Sequence, residues 1–388
     1  ARAGRRLRVA MVAPPWAPVP PPFYGGIEAV VDQLAVGLRR AGHEVVLFTT
    51  GDSTCPVPRR SVLPHAEGER IGHVVPELCH VVHAYDAALG FDLVHDHTML
   101  GPVYSERFPG LPVVTTIHGP LDRQLAGLYR RVASRVDLIA ISQAQAASAP
   151  GLRISRVIPH GVDAVRFPDG RGAGGYCAFV GRMCPEKGAH RALEVARRAG
   201  VDLVLAGKMR TQAERDYFHA EVEPHLGDRA WYVGEVGHER KLAILANAWC
   251  LLFPIRWPEP FGLVMIEALA CGTPVLAFPE GAAPEVVEHG RTGFLCQDDA
   301  EMAEAIPHVG TIDRRACRRA VESRFSGERM VGEHIDLFQQ VVARHPAGKG
   351  YTRAAAGGGC RVDLRVVEGD HRPAPAEGPE GRGRAERP

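Results

Sequence analysis

The sequence has no marked excess of charge of either sign. Its 46 lysine and arginine residues nearly balance its 45 aspartate and glutamate residues, which gives a formal net charge of +1 at pH 7. Domains that require nucleic acid as a partner usually carry a clear basic excess. The balance of charge therefore argues against nucleic acid as an obligatory partner.

The sequence also lacks paired cysteines and long apolar runs. Its nine cysteines are scattered singly, without a CxxC pair or the spacing of a zinc finger. This pattern is typical of reduced thiols and predicts a cytoplasmic protein. No run of about 18 apolar residues occurs, so no transmembrane segment is predicted. The basic and then apolar start breaks at Pro14 and Pro15, which indicates a first strand rather than a signal peptide.

Two signatures of nucleotide binding are missing. The first strand–helix–strand unit has no GxGxxG, the fingerprint of a dinucleotide site, and the DxD expected of a metal-dependent site occurs nowhere. If the chain binds a nucleoside diphosphate, cationic side chains and a helix N-terminus must stabilise the leaving diphosphate in place of Mg²⁺. We therefore predict no metal ion and no cofactor.

What the sequence does contain is an alternation of short apolar runs and amphipathic segments. Leu7–Val12 is predicted to be a strand, and the segment after Gly25-Gly26 has apolar residues at helical spacing. A linker composition at 167–175 precedes a second alternating series that begins at Tyr176. This order indicates an α/β protein with two parallel sheets in tandem. The Gly-, Pro- and Arg-rich composition of 346–388 predicts a disordered tail.

Histidines follow several strands predicted in the first half of the chain. Ligands of open parallel sheets bind at the carboxyl ends of the strands, so this placement indicates a site at that edge. The histidines concerned are His95, His97, His118 and His160. Single histidines are usually structural. A zinc site formed by His95, His97 and His118 stays open as an alternative, although the spacing supplies no further ligand.

One predicted helix combines apolar faces with a carboxylate. From Leu263 to Cys271 the chain is apolar on every side except at Glu267, so we predict a helix buried all round. Pro260 fits its first turn, where free backbone N–H groups would form an anion site, and Glu259 lies just before that turn. The pattern suits a polyhydroxylated, phosphorylated ligand. The alternative is a structural pair between Glu267 and an arginine.

Two cations lie in the loop 181–188, GRMCPEKG, between a predicted strand and a predicted helix. Arg182 and Lys187 could neutralise a diphosphate there, and the guanidinium could bind it with two hydrogen bonds. The alternative is a solvated loop. Because this loop and the Glu267 helix follow strands of the same predicted sheet, we favour a diphosphate site.

A second set of cations could form a basic helix face for an anionic membrane surface. The set comprises Arg123, Arg130, Arg131 and Arg135. Such runs are more often solvated faces, so membrane association stays open and is not predicted.

Together, these motifs resemble the retaining GT-B glycosyltransferases of family four. The resemblance covers about residues 7–345 and rests on GRMCPEKG, PEPFGLVMIEALACGTPV, PEGAAPEVVEHGRTGFL, YGGIEAVVDQLAVGLRRAGHEVVLFTT and IPHGVD. It implies two Rossmann-like domains that face a cleft, an acceptor-side domain at 1–165 and a donor domain at 176–324. It also implies that the last helix, within 325–345, returns to the first domain.

The resemblance further implies metal-independent transfer of a hexosyl group from a nucleoside-diphosphate sugar to an acceptor hydroxyl, with retention of the anomeric configuration. Arg182 and Lys187 would hold the diphosphate, Glu259 would bind sugar hydroxyls and Glu267 would bind the ribose. His118 would meet the donor sugar near the acceptor, which completes a catalytic set of His118, Arg182, Lys187 and Glu259. The other residues expected to line the donor site are Gly26, Val236, Gly237, Phe261, Gly262 and Leu263.

Two other functions stay open at this point. The same fold supports phosphorylases and sugar-nucleotide epimerases, and it could also serve as a catalytically inactive sugar-nucleotide-binding protein. The presence of both glutamates and both cations favours the transferase. The sequence leaves open the base and sugar of the donor, the oligomeric state, and the acceptor, which could be a small molecule, a glycan or a lipid.

Overall fold

Two parallel β-sheets form the centre of the protein. The computed structural model describes residues 5–23 and 25–345. The tail that the sequence predicts to be disordered, 346–388, lies outside the described residues. No helix of the described part of the chain is both long and apolar enough to cross a membrane.

The first sheet has the strand order β3-β2-β1-β4-β5-β6-β7, and its neighbouring strands are parallel. Its order reverses between β1 and β4, and such a switch point is where ligands of open α/β sheets bind. The elements are β1 (Arg8–Val12), α1 (Gly26–Arg40), β2 (Glu44–Phe48), β3 (Arg59–Arg60), α2 (Val74–Ala87), β4 (Leu93–Asp96), α3 (Gly101–Tyr104), β5 (Val113–Thr116), α4 (Arg123–Val132), β6 (Val136–Ala140), α5 (Gln143–Ala147) and β7 (Arg156–Val157).

The second sheet repeats this arrangement with the order β10-β9-β8-β11-β12-β13. Its neighbouring strands are also parallel, and its switch point lies between β8 and β11. The elements are β8 (Tyr176–Val180), α6 (Ala189–Ala199), β9 (Asp202–Ala206), α7 (Gln212–Tyr217), β10 (Ala230–Tyr232), α8 (His238–Asn247), β11 (Leu251–Phe253), α9 (Leu263–Ala270), β12 (Val275–Ala277), α10 (Ala283–Val286), β13 (Gly293–Leu295), α11 (Asp299–Ala305), α12 (Arg314–Arg324) and α13 (Gly327–Arg344).

Side chains of the strands alternate between two apolar clusters, one on each face of a sheet. In β1, Val9 and Met11 join the cluster that contains α1, whereas Ala10 and Val12 join the cluster that contains α2 and α4. The sequence of a strand that is buried on both faces is a continuous apolar run, as it is in β1. This double burial explains why short apolar runs predicted the strands so well.

The last helix, α13, returns to the first domain. Its buried residues Leu337 and Phe338 join the cluster that contains α1 and β1. At Gly37 of α1, an added Cβ atom would lie 2.4 Å from a methyl carbon of Val331, so glycine is what allows α1 and α13 to approach this closely. The chain therefore crosses from the second sheet back to the first through α13, which lies within the range 325–345 expected for the last helix.

Contacts on both sides of the cleft join the domains. Gly26, at the start of α1, faces α9, because an added Cβ atom would lie 3.1 Å from Cδ1 of Leu263. On the other side of the cleft, the carboxylate of Glu285 in α10 accepts hydrogen bonds from the backbone N–H groups of Gln143 and Ala144, at 2.9 and 2.7 Å. Glu285 thus caps the first turn of α5 from the opposite domain.

Candidate active site

An ion pair lies at the switch point of the second sheet. Lys187 follows β8, and Glu259 follows β11. Their Nζ–Oε2 distance is 2.5 Å, and each side chain is 12% exposed. Trp257 Nε1 donates to the same carboxylate oxygen at 2.8 Å, and the Trp257 ring centroid lies 5.3 Å from Lys187 Nζ. The fold thus brings together a cation and a carboxylate that lie 72 positions apart in the sequence.

The second predicted carboxylate, Glu267, also has a lysine partner. Lys241 Nζ of α8 lies 2.6 Å from Glu267 Oε1, and the two side chains are 22% and 13% exposed. The sequence left open an arginine as the structural partner, whereas the structure places a lysine there. Lys241 escaped the sequence analysis because it lies on a different helix, 26 positions away.

Helix α9 is not buried on every side, so that prediction is wrong. Leu263, Val264 and Glu267 are partly exposed, whereas Met265 and Ile266 are fully buried. The three partly exposed residues fall on one stripe, because positions three and four apart share a face of a helix. Leu263 faces the first domain, since it also packs against the apolar cluster of α1 and α13, whereas Glu267 faces Lys241 of the second domain.

The N-terminus of α9 depends on a glycine. Gly262 has a left-handed backbone with φ of 82°, and an added Cβ atom would lie 2.6 Å from Cε of Met265 and 2.9 Å from Cζ of Phe253. A larger residue would therefore displace the first turn, whose N–H groups are the predicted anion-binding feature. Phe261 is only 3% exposed and belongs to the core, so its ring is not available to a ligand.

Arg182, the other predicted diphosphate ligand, pairs with an acidic residue of its own domain. Its guanidinium lies 2.6 Å from Glu214 Oε1 and its side chain is 39% exposed. Glu214 also accepts hydrogen bonds from the backbone N–H groups of Arg210 and Thr211, at 2.6 and 3.1 Å. Burial raises the pKa of Glu214, but these N–H groups and Arg182 outweigh burial and hold that pKa below its usual value.

A cavity of about 510 Å³ opens between the domains at Arg210. It is lined from the first domain by Trp16 and Phe23, and from the second by Lys208, Arg210 and Glu235. The predicted base-side residues Val236 and Gly237 follow Glu235 directly, and an added Cβ atom at Gly237 would lie 3.6 Å from the carbonyl oxygen of Pro22.

The start of α1 contributes a charged group that the sequence analysis missed. Glu28 is 6% exposed in the first turn of α1. Burial raises the pKa of Glu28 to about 6, while its own backbone N–H and the cations Lys208 and Arg210 act in the opposite direction. Since these cations belong to the second domain, Glu28 adds an electrostatic contact across the cleft next to Gly26.

His118 belongs to a continuous row of five histidines. The centroid distances between successive rings are 5.2 Å from His334 to His95, 4.2 Å from His95 to His97, 5.1 Å from His97 to His118 and 5.3 Å from His118 to His160. His160 then meets the edge of Phe261 at 5.1 Å. His334 comes from α13 and has no neighbour in sequence among the others, so only the fold reveals it.

The row is not a metal centre. Among residues 5–23 and 25–345, no group of three or more His, Cys, Asp or Glu side chains is placed to hold a metal ion. The five rings instead pack against one another, with a hydrogen bond between His97 and His118, and burial lowers the pKa of each of them. His118 has a pKa of about 3 and His334 a pKa of about 4, so both rings are neutral at pH 7.

Acidification from pH 7 to pH 5 should lower the stability of the fold. The folded-state pKa values of the buried histidines lie below their usual 6.5, so the unfolded chain binds protons first as the pH falls. Each histidine whose pKa burial lowers in this way then contributes a loss of up to roughly 1.4 kcal/mol per pH unit below about 6.5. The histidines concerned are His80, His95, His97, His118, His160 and His334.

Urea unfolding at pH 7, 6 and 5 measures this loss. Glu28 and Asp96 act in the opposite direction, because burial raises the pKa of each to about 6 and the folded state then binds their protons first. Burial also raises the pKa of Asp32, which acts in the same direction, but three carboxylates offset only part of the effect of six histidines. A midpoint that stays constant or rises between pH 7 and pH 5 would contradict the buried neutral histidines, and His80→Gln should make the decline shallower.

A segment in each half of the chain matches a family of known glycosyltransferases. Residues 24–166 match the family described as Glycosyltransferase Family 4, and residues 171–318 match the family described as Glycosyl transferases group 1. The chain is 29% identical, over 377 residues, to a glycogen synthase of Mycobacterium tuberculosis. The match covers 82% of this chain and 89% of the glycogen synthase.

Two solved structures share the fold. AviGT4, a glycosyltransferase involved in avilamycin A biosynthesis, is 28% identical with a TM-score of 0.64, and the match covers 87% of this chain and 98% of AviGT4. Anabaena HepE in complex with UDP-glucose is 21% identical with a TM-score of 0.67, and the match covers 86% of this chain and all of HepE. With two parallel-sheet domains, a returning helix and both family matches, the chain belongs to the GT-B glycosyltransferases of family four.

Proposed function

We propose that this protein transfers a sugar from a nucleoside-diphosphate sugar to an acceptor hydroxyl, with retention of the anomeric configuration and without a metal ion. The observation that carries the proposal is the Lys187–Glu259 pair beside the N-terminus of α9. A cation and a helix N-terminus at one point suit a diphosphate, and a carboxylate beside them suits sugar hydroxyls. The complex of HepE with UDP-glucose supports this class of donor.

Each charged pair has a separate task in this proposal. Lys187 and the first N–H groups of α9 hold the diphosphate and stabilise the negative charge that develops on the departing nucleotide. Arg182 adds a second cation from the same loop. Glu259 accepts hydrogen bonds from the sugar, and Glu267, oriented by Lys241, accepts them from the ribose. The donor thus lies mainly on the second domain, and the first domain forms the acceptor side.

Retention fits the way in which Glu259 is held. Its Oε2 atom already accepts hydrogen bonds from Lys187 and Trp257, which makes this carboxylate a poor nucleophile. In this proposal the acceptor attacks from the face that the diphosphate leaves, and the departing phosphate oxygen takes the proton of the acceptor hydroxyl. A product with inverted anomeric configuration would contradict this mechanism.

Thermal unfolding with UDP, GDP, ADP, dTDP and NAD, each with and without EDTA, tests the donor class and the metal independence together. We expect one nucleoside diphosphate to stabilise the fold equally in both conditions. At about 100 times its dissociation constant, this ligand should add roughly 2.7 kcal/mol to the free energy of unfolding. The stabilisation should be lost in Glu267→Ala and retained in Glu288→Ala, a control on the surface of the same domain.

Three results would contradict the proposal. Stabilisation that EDTA abolishes would show that a metal ion takes part in binding. Stabilisation by NAD alone would indicate a different class of ligand. A reaction that depends on inorganic phosphate, with no transfer from a nucleotide sugar, would identify a phosphorylase.

A further inference from the structure

The contact between His97 and His118 joins a buried histidine to the cleft. His97 follows β4 and His118 follows β5, and these strands are parallel neighbours, so the two residues lie together at the carboxyl edge of the first sheet. His97 Nδ1 lies 2.8 Å from His118 Nε2. His97 is 4% exposed, whereas His118 is partly exposed.

A hydrogen bond between two neutral imidazoles has two possible directions. A neutral imidazole carries one N–H and one bare nitrogen, so one ring must donate and the other must accept. If His118 donated, His97 would accept at Nδ1 and would carry its own proton on Nε2. That Nε2 atom is buried and has no hydrogen-bond partner among the described residues.

The surroundings of His97 decide the direction. Buried N–H groups without an acceptor are rarer in proteins than buried acceptors without a donor. The favoured arrangement therefore leaves the unpartnered Nε2 of His97 bare and puts the proton on Nδ1. Donation then runs from His97 to His118, and His118 must carry its own proton on Nδ1.

The rest of the row holds His97 in this orientation. His95 lies on one side of the His97 ring, and its Nε2 is fixed at 2.9 Å from Oγ1 of Thr116. His334 packs against His95, and its Nδ1 donates to the carbonyl oxygen of Met330 at 2.7 Å. The backbone N–H of His97 donates to the carbonyl oxygen of Val12 at 3.0 Å. Helix α13 thereby supports the active-site edge of the first domain.

We propose that His97 is a positioning residue that fixes the tautomer of His118. His97 donates its Nδ1–H to Nε2 of His118, so His118 presents an N–H group at Nδ1. The consequence for catalysis rests on the proposed function: His118 donates a hydrogen bond to an oxygen of the donor sugar and does not remove the proton of the acceptor. The low pKa of His118 agrees with a ring that stays neutral throughout.

Nitrogen NMR of the protein labelled with ¹⁵N-histidine tests the tautomer directly. Bare and protonated imidazole nitrogens resonate far apart, and the His118 signals are assigned by their loss in His118→Gln. We expect a bare Nε2 and a protonated Nδ1 in the wild type at pH 7. A protonated Nε2 on His118 would overturn the proposal, whether or not the protein binds a nucleotide sugar.

Two substitutions at His97 separate positioning from folding. In His97→Asn the amide nitrogen takes the place of Nδ1 and keeps a donor, so His118 should retain its tautomer. In His97→Leu the donor is lost, and Nε2 of His118 should become wholly or partly protonated. An unchanged His118 spectrum in His97→Leu would overturn the proposal. His80→Leu is the matched control, because it removes another fully buried histidine of the first domain, one that bonds to Ala13 outside the row.

Donor binding provides the second measurement. Loss of one hydrogen bond to the sugar should weaken binding of the nucleotide sugar about tenfold in His97→Leu. The affinity for the nucleoside diphosphate without the sugar should stay the same in His97→Leu. In His97→Asn the affinity for the nucleotide sugar should return to the wild-type value. Equal weakening of both ligands would show that His97 is only structural. If the wild type binds neither ligand, the proposed function fails while the NMR result still decides the tautomer.

Discussion

Replacement of Lys187 by alanine should lower the rate of sugar transfer about 10²- to 10³-fold. That range is typical for loss of one preorganised group that stabilises charge in a transition state. Lys187 is preorganised in this sense, because Glu259 and the face of Trp257 hold its ammonium group in place. Since water reaches the side chain poorly, a solvent molecule would be a weak substitute for the ammonium group.

The effect of Lys187→Ala must be separated from a loss of folding. The substitution also leaves Glu259 without its cation, which costs stability in a partly buried site. The free energy of unfolding should therefore be measured beside the transfer rate, and transfer should be compared well below the unfolding temperature. Arg191→Ala is the matched control, since it removes a cation of α6 four positions after Lys187. The Arg191 guanidinium donates hydrogen bonds to the carbonyl oxygens of Pro185 and Pro254. Undiminished transfer in Lys187→Ala would exclude Lys187 from the diphosphate site.

The fold could be predicted from the sequence because its strands are buried on both faces. The second alternating series begins at Tyr176, as the sequence predicts, because β8 starts at that residue. Elements with a weaker apolar pattern were missed. The two-residue strand β3 consists of arginines, and α12 (RRACRRAVESR) has only a narrow apolar stripe between charged residues.

The site could be predicted only in part, because its residues are paired by the fold. The sequence located Glu259 and both loop cations because each lies close to glycines or prolines at the end of a strand, and it located Glu267 because no other residue of its apolar segment is charged. It could not locate their partners. Lys241 and Glu214 lie on separate helices, and His334 lies more than 200 positions from His118 and His97, so no local pattern connects them. The ion pairs at the cleft form because the fold packs distant segments together, so the spacing of residues along the sequence does not predict them.

The contact of Glu285 with α5 leads to the second large effect. Its carboxylate accepts N–H groups of Gln143 and Ala144 from the opposite domain, and its backbone is tied to α12 through Arg324. Hydrogen bonds to a charged group contribute about 1.5–3 kcal/mol, and these two are partly exposed to solvent. We therefore expect Glu285→Ala to shift the balance between closed and open domains by about 10- to 100-fold towards the open form.

Small-angle X-ray scattering of the unliganded protein measures this shift as a larger radius of gyration in Glu285→Ala. Glu285→Gln should give a smaller increase, because the amide oxygen still accepts one of the two N–H groups. Glu288→Ala is the control, since Glu288 lies three positions away and pairs with Arg291 and Arg324 of its own domain. An unchanged radius in Glu285→Ala would mean that Gly26 and Leu263, or Glu28 and the cations facing it, suffice to keep the cleft closed. A larger radius would instead show that the Glu285 carboxylate, far from Lys187 in the sequence, helps to determine the fraction of molecules in which the cleft is closed.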